Sequence, residues 1–346
     1  AKMYDLEIII PVELNDERIK KRFEDFKKYG FKNDLSKKIK IFFMASHDNK
    51  EEDLEDLKKG WYENFDIETV VTPHKHVACR IMHYYSNYLN PESARWYIQM
   101  DEDSMTNIKL LIKKLDEEYD YKDLYQMTGV LLRQPSITER RILEKIGFKG
   151  WYDGEPPDHA YEIYITSQAV MKRIKECKAC SQYFKMRELF PEEHGDHGLC
   201  HAARMVKVYT FTSSFLSPNA KFLEYYVDYN FLHIHETSRD RTNEIFKWLD
   251  LTEDQKNQKP DALDFKKSYY LSWRFDKTWI YFKENKEITN TDNRILGVWG
   301  TTPSNDLTVF LSNECSKNNP IFILDEKTEQ GIKTKDGRLE IKIFGN

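Results

Sequence analysis

No run of about 18 or more apolar residues occurs in the 346-residue chain, so the pattern that a membrane-spanning helix needs is missing. Cysteine is scarce: five in a chain of this length, and an odd number, argue against a disulfide framework and for reduced thiols. There is no surplus of positive charge. Lys and Arg number 53 against 58 Asp and Glu, a formal charge of −5 that excludes a general electrostatic grip on nucleic acid while leaving local basic sites open. Internal repeats and low-complexity tracts are also missing, which excludes a solenoid. The opening Ala1-Lys2-Met3-Tyr4-Asp5 leads into a strand pattern rather than a signal peptide. The expectation is therefore a soluble, cytoplasmic protein without a transmembrane segment, for which peripheral membrane association stays open.

What is present is the profile of a globular protein, with 32% charged and 14% aromatic residues and well-spread apolar runs. The length suits one core plus a smaller appended domain. Leu6 to Val12 is a near-continuous apolar strand, as expected of one buried on both faces. Helical periodicity follows over Asp16 to Tyr29, Glu51 to Phe65, His76 to Leu89 and Ile108 to Tyr119. Strand patterns fall between these helices at Lys38 to Ala45, Ile67 to Val71 and Arg95 to Met100. This alternation predicts an α/β layer architecture, Rossmann-like, with a mixed, mostly parallel sheet.

Further on, Leu124 to Leu132 and Tyr161 to Thr166 are expected strands, and Gln168 to Cys177 and Asp196 to Met205 expected helices. Ser136 to Phe148 is read as a surface excursion and Gly150 to Asp158 as a loop. The polar stretch Glu253 to Asp261 separates a first domain, 1–254, from a second, 255–346. Short β-branched and aromatic runs in the second, such as Trp279 to Phe282 and Leu307 to Leu311, predict a small all-β domain. Its Trp273, Trp279 and Trp299 are expected in the core, with a carbohydrate platform as the alternative.

The strongest chemical signal is Trp96-Tyr97-Ile98-Gln99-Met100-Asp101-Glu102-Asp103, an apolar strand that stops on three carboxylates. Open α/β sheets bind ligands at the carboxyl edge, where this triplet stands. Oxygen donors on alternate residues suit Mn²⁺ or Mg²⁺, and a diphosphate would complete the coordination. The competing reading is a solvated acidic turn leading into the helix at Ile108. His233 and His235 share one side of an extended segment and can reach a single site. Cys177 and Cys180 form a lone CxxC upstream of Cys200-His201, a weak zinc pattern.

On the strand and its triplet the chain resembles the GT-A glycosyltransferases, and within them the fringe and β1,3-galactosyltransferase-like group. The resemblance spans about residues 5 to 240. It includes Trp61 to Ile67, the loop Trp151 to Asp158, the Tyr-x-x-Tyr-Ile-x-Ser stretch ending at Ser167, and an acidic block before Gly198-Leu199-Cys200. It departs from the group's pattern at Glu102, where Asp is usual, and in the acidic block Pro191-Glu192-Glu193-His194-Gly195-Asp196. What the resemblance implies is a metal-dependent transfer of a sugar, with inversion, from a nucleoside-diphosphate sugar, UDP-linked by preference, to a hydroxyl of a glycan or carrier-linked acceptor. Asp103 and His235, with His233 second, would hold the cation, and Asp101 would contact the metal or the ribose. The catalytic base stays open between Asp196 and Glu193. Glu102, Lys75 and Arg80 are expected toward the donor, with His74 and His76 as further donors of hydrogen bonds. Trp151, Tyr152, Asp153 and Asp158 are expected toward the acceptor. The alternatives are a nucleotidyltransferase-type phosphate-ester enzyme and a carbohydrate-binding protein without activity.

Overall fold

The computed structural model describes residues 3–15, 17, 20, 24, 27, 36–102, 105–106, 108–128, 132–133, 137–147, 158–159, 163–190, 197–212, 233–234, 263–273, 276–301, 306–311, 321–324, 326–329, 331–334 and 339–342. By its contacts the chain divides into Ala1–Pro218 and Asn219–Asn346.

The first unit is built on a seven-stranded sheet. Its strands are β1 (Tyr4–Val12), β2 (Ile39–Ser46), β3 (Phe65–Thr72), β4 (Ala94–Gln99), β6 (Gln126–Thr128), β9 (Tyr164–Ser167) and β10 (Phe211–Thr212). Short strands β5 (Met105–Thr106), β7 (Leu132–Arg133) and β8 (Asp158–His159) lie outside that sheet. The order is β10-β6-β9-β4-β1-β2-β3, parallel except for β9, which runs against both β4 and β6. β1 is buried from Leu6 to its end, as a strand with neighbours on both edges and layers on both faces should be. The chain fills one side of β1 with β2 and β3 and then crosses to the other side with β4. The strand order therefore reverses between β1 and β4, and a sheet of this kind has its ligand crevice at that reversal.

Local register opens the crevice further. β1 stays paired with β2 up to Val12↔Ala45, whereas its pairing with β4 ends at Ile9↔Gln99. Met100 donates its backbone N–H to the Ile9 carbonyl at 3.1 Å, so Ile9 faces β4, and by alternation Pro11 faces the same side two residues on. A proline in a central strand would normally cost a ladder bond. Here the missing N–H points where β4 has already ended.

Besides the helical residues 17, 20, 24 and 27, the described helices are α1 (Glu51–Leu57), α2 (Val77–Asn87), α3 (Ile108–Glu118), α4 (Ile137–Lys145), α5 (Gln168–Glu176), α6 (Lys178–Leu189) and α7 (His197–Met205). α2, α4, α5, α6 and α7 share one core with Ile9, Phe42, Tyr97 and Tyr164 of the sheet. Trp96, next to Tyr97 and so on the opposite face, packs edge-on to Tyr119 and stacks with Tyr125 at 6.5 Å.

Three expectations are corrected here. α1 stops at Leu57 instead of reaching Phe65: Gly60 adopts φ 79° just beyond it, a conformation that ends a helix, and Phe65 already opens β3. Within the stretch read as a surface excursion, residues 137–147 are not one, since α4 buries Ile142 and Leu143 in the main core. The strand expected over 124–132 is two short ones, β6 and β7. α6 was not foreseen at all.

The second unit contains β11 (His233–Ile234) and a nine-stranded antiparallel sheet: β12 (Tyr269–Trp273), β13 (Asp276–Phe282), β14 (Glu287–Asn290), β15 (Ile295–Thr301), β16 (Leu307–Leu311), β17 (Ile321–Leu324), β18 (Glu326–Thr328), β19 (Gly331–Lys333) and β20 (Leu339–Lys342). The expected all-β character holds. Its core gathers Leu271, Ile280, Phe282, Val309 and Ile341 with Trp299, whose indole N–H donates to the Lys283 carbonyl at 2.8 Å. Trp279 corrects the reading of all three tryptophans as core, being 40% exposed against Tyr270. The side chain of Trp273 and the expected boundary at 253–261 lie outside the description.

Candidate functional site

The acidic strand end lies at the reversal between β1 and β4. Asp101 and Glu102 follow β4 after the single residue Met100 and are half-buried. Glu102 reaches across the notch, its Oε2 accepting the backbone N–H of Glu13 at 3.0 Å, so the ends of β1 and β4 are tied by a carboxylate. The loop after β1 is fixed from the other side as well. Leu14 N–H donates to Asn49 Oδ1 at 2.6 Å, and the Asn49 amide donates back to the Ser46 carbonyl at 2.9 Å, at the end of β2.

Arg80 supplies the positive charge. It sits in the first turn of α2 with only 1% of its surface exposed, where a solvated helix-surface charge would be open to water. One terminal nitrogen donates to Glu13 Oε2 at 3.4 Å and to the Lys75 carbonyl at 2.9 Å. Burial pushes its pKa down, and the charges of Glu13 and then Glu102 oppose that shift. Its Nε is buried without a hydrogen-bond partner among the described residues, an orphan donor beside two carboxylates.

The other expected cations are placed differently. Lys75 is exposed and paired with Asp48 at 3.2 Å. His76 is exposed at the start of α2. His74 turns away to Glu188 on α6, its Nε2 2.9 Å from Oε1, and His83 of α2 contacts the same oxygen through Nδ1. Glu13, Asn49, His83 and Glu188 were not singled out from the sequence. Glu13 was legible only as the residue closing a strand; the other three carry no local signal.

Several expected residues lie outside the described ones: Asp103, Trp151, Tyr152, Asp153, Glu193, Asp196 and His235. Asp158 opens β8 opposite Arg133 and His233 opens β11, with their side chains not described. The zinc pattern around the CxxC is corrected. Cys177 and Cys180 are joined by a disulfide, and Cys177 caps α6, its Sγ accepting the Cys180 N–H at 3.0 Å. Cys200 accepts from the Thr210 hydroxyl at 3.4 Å, and the His201 Nδ1 pairs with the Tyr183 hydroxyl at 2.9 Å. The expectation of uniformly reduced thiols falls with the same bond.

The donor set at the notch fits a hard divalent cation. Asp101 and Glu102 offer carboxylate oxygens, the chemistry that Mn²⁺ and Mg²⁺ select. Among the described residues no helix is long and apolar enough to cross a membrane.

No family model matches the chain, and no curated protein matches its sequence. In backbone the chain is similar to the galactosyltransferase LgtC in complex with donor and acceptor sugar analogs, at 12% identity over 72% of this chain and 98% of that one, with a TM-score of 0.40. An active-site mutant of LgtC aligns over the same shares at 13% identity and a TM-score of 0.40. Mouse xyloside xylosyltransferase 1, in its apo form, aligns at 9% identity over 64% of this chain and 87% of that one, with a TM-score of 0.35. Likenesses of this depth assign no chemistry.

Proposed function

We propose that the chain is a GT-A glycosyltransferase, of the fringe and β1,3-galactosyltransferase-like group, that transfers a sugar from a nucleoside-diphosphate donor, preferably a UDP-sugar, to a glycan or carrier-linked hydroxyl with inversion. One observation carries the reading: Glu102 and the buried, partly orphaned Arg80 meet around Glu13 at the strand reversal, directly beside Asp101. A diphosphate is the guest that such a notch accommodates, because it needs both a hard cation and a guanidinium.

Asp101 and Asp103, with His235 and then His233, are the proposed ligands of Mn²⁺ or Mg²⁺. When bound, the ion supplies a Lewis acid that offsets the charge of the departing diphosphate. Arg80, buried behind the notch, supplies positive charge toward the same phosphates. Asp196 or Glu193 takes the proton of the acceptor hydroxyl as its oxygen bonds to the anomeric carbon, and the bond from that carbon to the diphosphate breaks. Trp151, Tyr152, Asp153 and Asp158 are proposed to hold the acceptor, aromatic faces against sugar C–H and carboxylates against hydroxyls. A cytoplasmic site of action is part of the proposal.

The test is a turnover screen over nucleotide sugars with Mn²⁺. The reading expects release of UDP, loss of turnover in EDTA, and a fall of roughly 100-fold or more in Asp101→Asn. Pyrophosphate released from a nucleoside triphosphate would replace it with nucleotidyl transfer. Glycan binding indifferent to EDTA, with no donor turned over, would leave a binding protein.

A further inference from the structure

His74, His83 and Glu188 come from three separate elements and meet at one point. His74 lies in the connection between β3 and α2, His83 on α2, and Glu188 in the last turn of α6. Their ligand atoms all lie within 4.8 Å of one another. Both imidazoles address a single carboxylate oxygen, Glu188 Oε1, with His74 Nε2 at 2.9 Å and His83 Nδ1 closer still. The three side chains are 18%, 19% and 15% exposed, so the cluster is sheltered but open to water on one side. Thr72 presets His74 through its hydroxyl, which accepts the His74 backbone N–H at 3.3 Å.

As a purely hydrogen-bonded cluster this arrangement asks both rings to place a proton on the same oxygen. One cation satisfies all three groups at once. Ligands of a tetrahedral zinc ion stand about 3.4 Å apart when each bond is about 2.0 to 2.1 Å long, a spacing that small rotations of these side chains reach.

We propose that His74, His83 and Glu188 form a zinc site with three protein ligands and water in the fourth position, tying the end of α6 to the β3–α2 connection. Two imidazoles and one carboxylate make a borderline donor set that favours Zn²⁺. None of the three residues belongs to the strand-end site at Asp101, so the zinc site stands or falls independently of the proposed transfer.

The test uses the full chain, stripped with a chelator and titrated with Co²⁺, a visible reporter of four-coordinate geometry, and then with Zn²⁺. Expected are visible Co²⁺ bands that saturate at one equivalent, are displaced by Zn²⁺, and survive in Asp101→Asn. His83→Ala is expected to weaken zinc at least about 100-fold, the upper end of what even outer-sphere changes cost. Glu188→Gln keeps a hydrogen-bond acceptor for the imidazoles and guards against misfolding of the alanine variant. It should lose the Co²⁺ bands while keeping the circular dichroism of the parent in chelator. Absence of the bands in the parent, or equal zinc affinity in the parent and both variants, would overturn the site and leave Glu188 a hydrogen-bonding clamp.

Discussion

Arg80 and Glu7 are two buried charged groups with opposite consequences. Arg80→Met keeps much of the aliphatic stem but leaves Glu13 and Glu102 without their cation. The variant is expected to lose about 1 kcal/mol of stability, since the partners it strands, Glu13 and the Lys75 carbonyl, belong to part-buried hydrogen bonds. Its affinity for a nucleotide sugar, read by calorimetric titration, should fall at least about tenfold, as for the loss of one charge-assisted contact. Glu7, in the middle of the sheet, accepts hydrogen bonds from Ser93 at 2.6 Å and from Tyr84, yet burial raises its pKa above the ordinary 4.5. Below 4.5 the folded and unfolded chains both hold that proton. Above it the unfolded chain releases the proton first, so this group's contribution to stability declines with rising pH until the folded pKa is passed. Glu7→Gln should abolish that decline. At pH 8 it is expected to unfold at a higher temperature than the parent, and to match it near pH 4.

At the scale of elements, Gly331 fixes the edge of the second sheet. It pairs with Lys342 across β19 and β20, and a Cβ there would run into the Ile341 carbonyl and lie 2.9 Å from Lys342 Cα. The obstacle is backbone, which cannot rotate aside. Gly331→Ala is therefore expected to cost about 3 kcal/mol in chemical denaturation, the upper part of the ordinary range. Strands and helices with a clean period were legible: β1 to β4 and α2 lie within two residues of where alternation and amphipathy place them. The acidic end of β4 was legible too, because an apolar run that stops on carboxylates is a local pattern. α6 was missed although Cys180, Tyr183, Phe184 and Arg187 follow helical spacing, since two of the four buried positions are a cysteine and an arginine. Pairing across the notch was not legible. That Glu13 would meet Glu102, 89 positions away, or His83 meet Glu188, depends on the strand order and helix packing that no window of sequence contains.

For the molecule as a whole, the division into two units matters, the first with a core around Tyr84 and Tyr97 and the second with one around Phe282 and Trp299. Each has its own hydrophobic cluster, so scanning calorimetry is expected to resolve two transitions, and Gly331→Ala should lower the temperature of one only. A single transition shifted as a block would contradict that division. The position of β1 has a further consequence for how the chain is made. It precedes the other strands of its sheet in the sequence and lies inside the finished sheet, yet its second neighbour, β4, is complete only at Gln99. Throughout that interval a largely apolar segment, broken by Glu7, emerges with an unpaired edge, which is where nascent chains adhere to one another or recruit chaperones. Fragments that end before β4 are thus expected among inclusion bodies, while those that include it can pair both edges of β1.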